Sequence, residues 1–135
     1  MRPMWALVSP VAMPPAALCG QPVLPGEIIE IYTTGLGKAT PGGDPNAPSI
    51  ATGQIPPIDG RTLYKTLQQP TVGIGEKRAE VLFSGLTPGV AGLYQVNVRV
   101  PPDAPAGDEV PLSIYISLGD RGYSDSATIA VAASR

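Results

Sequence analysis

The most regular stretch of the chain is Leu93-Tyr94-Gln95-Val96-Asn97-Val98-Arg99-Val100, in which Tyr94, Val96, Val98 and Val100 alternate with Gln95, Asn97 and Arg99. A period of two places successive side chains on opposite faces of a strand, so the first set faces inward. Pro101-Pro102 stops the strand, because neither ring can donate to a ladder. After the turn Ala104-Pro105-Ala106-Gly107 the alternation returns, with Leu112, Ile114, Ile116 and Leu118 inward and Tyr115 outward. Asp120-Arg121-Gly122 closes that hairpin, and Ala127 to Val131 reads as the last strand, with Ile129 and Val131 in phase.

Upstream, Pro25-Gly26 is a turn, Glu27 to Tyr32 is β-branched and aromatic enough to be the first strand, and Gly35-Leu36-Gly37 ends it. From Lys38 to Thr66, Pro41, Pro45, Pro48, Pro56 and Pro57 alternate with glycines, which predicts a long loop holding at most a short strand or turn. Thr71 to Gly75 and Ala79 to Ser84 then read as a hairpin with the charged tip Glu76-Lys77-Arg78, and Gly73 suggests a bulge or a close backbone approach. The expected core is Ile29 or its neighbours, Val81, Phe83, Tyr94, Val96, Val98, Ile114, Ile116, Ile129 and Val131. Strands at this spacing with no helix between them predict an all-β, immunoglobulin-like antiparallel β-sandwich at 22–135, preceded by an irregular arm at 1–21.

Composition agrees with frequent turning: Gly 16 and Pro 17 make up about a quarter of the 135 residues, against a usual combined share of roughly 12%. The 43% of hydrophobic residues supplies the apolar surface that a disordered chain lacks. Net charge is −2, and Lys77-Arg78 is the only adjacent basic pair, which argues against a nucleic-acid interface. Histidine is absent and Cys19 is alone, so there is no internal disulfide, no zinc cluster and no Ser-His-Asp or Cys-His centre. Arg2, the apolar run Trp5 to Val8 and the small residues before Cys19 have the outline of a secretion signal. Pro10, Pro14 and Pro15 interrupt it, however, and Leu18 stands where a lipoprotein signal wants a small residue, so the arm is read as the remnant of a preceding segment. No run approaches the roughly 20 apolar residues of a membrane span.

Several stretches resemble one family. They are Pro25 to Tyr32 with Gly35-Leu36-Gly37, Ala79 to Leu86 with Pro88-Gly89, Gly92 to Pro101, Ala104 to Gly107, and Thr128 to Val131. Together they are similar to the IPT/TIG-like, immunoglobulin-type C-terminal module of large secreted bacterial proteins. The resemblance covers about residues 22–135 and implies the fold and an extracellular or cell-surface location. It carries no catalytic residue, cofactor or site. Independently, Tyr94 two positions before the core residue Val96 fits the tyrosine corner of such sandwiches, with a plain core aromatic as the alternative.

The acidic residues offer little chemistry. Asp108-Glu109, or Asp120 with Asp125, could form a glycosidase pair, and Asp103, Asp108 and Glu109 could ligate calcium, but turns use Asp routinely and no EF-hand spacing is present. Gly35-Leu36-Gly37 precedes no helix and is not a phosphate cradle. The sequence thus points to a non-catalytic structural or adhesive module, without cofactor or metal, that contacts neighbouring domains or surface proteins. The alternative is a carbohydrate-binding module contacting polysaccharide through exposed tyrosines: Tyr115 on a strand, Tyr64 and Tyr123 expected in loops.

Overall fold

The computed structural model describes residues 9–10, 21–118 and 120–133. The secretion-signal reading, Trp5 to Val8 and Cys19 lie outside the described residues. Those residues form nine strands and no helix: β1 (Ser9–Pro10), β2 (Ile28–Thr33), β3 (Ala39–Pro41), β4 (Tyr64–Thr66), β5 (Thr71–Ile74), β6 (Lys77–Leu86), β7 (Tyr94–Arg99), β8 (Gly107–Leu118) and β9 (Arg121–Val131). Hydrogen-bonded neighbours run β1-β2-β7-β6-β5-β8-β9, with β4 joining β3 to β6, and every pairing between strands is antiparallel. The sheet curls into a half-barrel. Its far edge returns to its beginning, where Val23, just ahead of β2, bridges Val131 of β9 in parallel, with Val23 N donating to Ala130 O (2.9 Å) and Ala132 N to Val23 O (2.8 Å).

The concave side is the core. Ile29 and Ile31 of β2, Val96 and Val98 of β7, Val72 and Ile74 of β5 and Leu112 of β8 are all fully buried there, as is Val100. Burying each such side chain stabilises the fold by roughly 1.5–3 kcal/mol. The inward phases expected for β7, for β8 from Leu112 to Ile116 and for β9 are therefore the observed ones, with Tyr94 partly buried against the cluster, and on β2 the choice left open falls on Ile29 and Ile31.

The strand β6 departs from expectation. Val81 lies opposite Val98, but Phe83 lies opposite Asn97 and Ser84 opposite the buried Val96, so one extra residue, Leu82, is accommodated as a bulge. The bulge inverts the phase: Phe83, expected inside, sits on the convex side, and Ser84 takes the inward position, where it accepts a 2.9 Å hydrogen bond from Thr66 Oγ1. The physical reason is a change of neighbour. On the side away from β7, β6 pairs with β5 at Lys77–Ala79 and with β4 at Gly85, and the bulge falls between the two.

Pairing decides one open choice, at Gly73, and corrects three smaller expectations. The β5–β6 turn is Gly75-Glu76, both at positive φ (58° and 66°), so Lys77 and Arg78 belong to β6 rather than to the tip. Gly73 is in regular register and is a close approach rather than a bulge, since a Cβ there would stand 3.0 Å from Ser113 Oγ. The 38–66 segment holds two strands, β3 and β4, that pair with each other. Between them Asp44 Oδ1 accepts from Asn46 N, Asp59 Oδ1 accepts from Arg61 N and Thr62 N, and the buried Pro56 accepts from Gly89 N. Finally, β9 begins at Arg121, six residues before the expected Ala127.

Tyr94 is not a tyrosine corner. Its hydroxyl donates to the carbonyl of Gly37, 57 residues upstream, instead of to its own approach segment, and thereby fastens the Gly35-Leu36-Gly37 turn to β7. Burial pushes its phenol above the ordinary value. Tyr94→Phe leaves the Gly37 carbonyl without this donor and is expected to cost about 1–2 kcal/mol in a urea titration followed by circular dichroism. An unchanged midpoint would show that the latch contributes nothing.

Candidate functional site

The three tyrosines singled out from the sequence do not share a face. Tyr115 on β8 is 47% exposed and pairs with Ser124, whereas Tyr123, 48% exposed, pairs with the inward-phased Ile116. Directly opposed residues lie on the same side of a sheet, so the two rings leave the hairpin on opposite sides. Tyr123 and Tyr64 are strand residues, not loop residues, and Tyr64 sits on β4 beside β3, away from the hairpin. Tyr115 is also engaged locally. A Cβ on Gly122 would lie 2.5–2.9 Å from its ring and hydroxyl atoms, so the ring covers the Gly122 backbone.

The acidic residues are spread over turns and strand ends. Asp103 pairs with Lys77 of β6 at 3.2 Å, Asp108, Glu109 and Asp120 are exposed, and Asp125 accepts from Ser126 N. Among the described residues no group of three or more Asp, Glu, Cys or His side chains could hold a metal ion.

The densest ordered polar array is on the convex side of β2–β7–β6. Strand register sets three rows there: Tyr32, Gln95 and Gly85; Glu30, Asn97 and Phe83; Ile28, Arg99 and Glu80. Tyr32 Oη donates to Glu30 Oε2 (2.8 Å), while Gln95 Nε2 donates to Asn97 Oδ1 (2.9 Å) and Glu30 Oε1 (3.4 Å). Arg99 closes the end of the array, with Nε 3.4 Å from Glu80 Oε2 and a guanidinium nitrogen donating to Gly26 O (3.2 Å). These bonds hold Glu30, Gln95 and Asn97 in place. They also leave Gln95 Oε1 as an acceptor and Asn97 Nδ2 as a donor, neither engaged within the described residues.

Two aromatics border this strip. Tyr32 stands beside Gln95 on β2, and Phe83 beside Asn97 on β6. A Cβ at Gly85 would meet Phe83 Cζ at 2.7 Å, so the ring lies down over the glycine instead of standing off the sheet. Beyond Phe83 an open groove of about 190 Å³ continues between Lys65, Thr66, Gln69, Leu82 and Ser84.

Burial, reinforced by the Glu30 hydrogen bond and charge, pushes the Tyr32 phenol from 10.0 up to about 12. A phenol that keeps its proton longer when folded contributes stability that is intact below pH 10 and is lost as pH rises from 10 to 12. Melting temperature should fall across that window, and Tyr32→Phe should flatten the fall. An identical alkaline profile in the variant would show that Tyr32 does not carry it.

Sequence reasoning missed this array. Tyr32 was legible, being in phase with Glu30 and out of phase with Ile29 and Ile31, but Phe83 was hidden by the bulge. Comparison of the chain with protein-family models, with curated proteins and with solved structures finds no match.

Proposed function

We propose that this chain is an immunoglobulin-like sandwich of the IPT/TIG type that serves a secreted or cell-surface bacterial protein without catalysis, spacing neighbouring domains or contacting surface proteins. The observation that carries the reading is connectivity. Strands β2, β7, β6, β5, β8 and β9 follow one another in a single curled antiparallel sheet around one apolar core, and the segment before β2 runs parallel to the end of β9 through Val23 and Val131. Such a return of the first segment onto the last strand suits a sandwich of two sheets built from antiparallel hairpins. The convex polar array agrees with the absence of catalysis in this reading, because its groups are fixed by one another on an open face and do not converge on an enclosed cavity.

The test is turnover. Purified protein incubated with chromogenic esters, peptides and glycosides is expected to convert none of them. Hydrolysis that disappears on replacing Asp108, Glu109, Asp120 or Asp125 would overturn the reading. The surface location is checked separately by protease shaving of intact cells expressing the natural protein: release of this module supports it, and full protection until lysis contradicts it.

A further inference from the structure

We propose that the convex face of β2–β7–β6 is a binding site for a neutral glycan, whose hydroxyls are held by Gln95, Asn97 and Glu30 between Tyr32 and Phe83. The inference goes beyond the spacer reading and does not depend on it.

The chemistry of the strip selects the ligand. A vicinal diol presents donors and acceptors side by side, and the strip offers both: the Asn97 Nδ2 donor and the Gln95 Oε1 acceptor, on two side chains joined by a hydrogen bond, with the Glu30 carboxylate alongside. These groups are held before any ligand arrives, because Gln95 bridges Glu30 and Asn97 while Tyr32 ties down the second carboxylate oxygen. Ordering costs on binding are correspondingly small. A hexose ring is polar around its edge and apolar on its C–H faces. The ring of Phe83, laid flat over Gly85, offers an apolar surface next to the amides.

Charge argues for a neutral ligand. The ordered carboxylate of Glu30 disfavours an anionic polymer; Arg99, two positions from Asn97, is already paired with Glu80, and the one cation added by the neighbouring strand, Lys65 opposite Gly85, only balances Glu30. The composition argues against a protein partner. Protein interfaces gather aromatic and Met anchors at a core depleted in Glu, whereas here Glu30, Gln95 and Asn97 occupy the centre and the aromatics the flanks. A groove of about 190 Å³, lined by Lys65, Thr66, Gln69, Leu82 and Ser84, adjoins Phe83 at the β4–β6 edge of the strip.

The experiment is affinity electrophoresis of the full chain in gels containing soluble β-glucan, xylan, mannan or galactan, with alginate as the anionic control. Retardation by at least one neutral polysaccharide and none by alginate is expected. Asn97→Ala and Gln95→Ala should each weaken it roughly tenfold, the effect of losing a well-made hydrogen bond, with melting temperatures within a few degrees of the parent. Tyr115→Ala, on β8 and separated from β6 by β5, should leave it unchanged. No retardation by any neutral polysaccharide would overturn the proposal. So would retardation that survives both amide variants, or that Tyr115→Ala abolishes.

Discussion

Val98→Asp is expected to leave no folded protein at room temperature. Val98 is fully buried one residue before the end of β7, opposite Ile29 of the apolar cluster on β2 and Val81, which packs against that cluster, on β6. The substitution removes an apolar side chain and places a carboxylate where no donor is positioned to meet it. The combined cost exceeds about 4–5 kcal/mol, a large part of the roughly 5–15 kcal/mol that holds a domain together. Far-ultraviolet circular dichroism and a urea titration read the outcome. Gln95→Ala, one strand position from the buried face and on the convex side, should stay within about 0.5 kcal/mol of the parent. If Val98→Asp melted within a few degrees of the parent, the inward phase of β7 would be wrong, and with it the whole convex face.

The second large effect is expected at Gly85, where the demand is for space. A Cβ there would collide with the carbonyl oxygen of Tyr64 and stand 2.7 Å from Phe83 Cζ. The first contact is backbone and cannot swing away without breaking the Lys65–Gly85 pairing that attaches β4 to β6. Gly85→Ala should therefore cost about 3 kcal/mol, which lowers the melting temperature of a chain this size by roughly 10 °C. Gly73→Ala is the control: its Cβ would approach closely only Ser113 Oγ, at 3.0 Å, and a hydroxyl can rotate aside. Equal melting of the Gly85 and Gly73 variants would show that β4 is not anchored as described. Because the flat seat of Phe83 also depends on Gly85, the same variant should weaken any ligand held on the convex face.

The alternation in β7 and β8 was readable because each strand has one buried and one solvated face, and a regular pleat converts that difference directly into period two. Val96, Val98, Leu112 and Ile114 accordingly lie where the pattern puts them. The end of β2 was readable for the same reason, and Tyr32 could have been assigned outward from Glu30 alone.

At Val81-Leu82-Phe83 all three residues are apolar, so nothing local tells which one is the extra residue of a bulge. The exchange of β5 for β4 as the neighbour of β6 decides it, and that exchange is a matter of pairing between separate strands. Tyr123 is a similar case: the register of the β8–β9 hairpin, not its own surroundings, places it on the side opposite Tyr115. Sequence by itself therefore determined the all-β class, the turn-rich chain and the phase of β7, of β8 around Ile114 and of the end of β9. Tertiary structure alone decided which side chains the bulge turned outward, and so where Phe83 came to lie beside Asn97, because cross-strand pairing is a relation between distant segments that no single segment encodes.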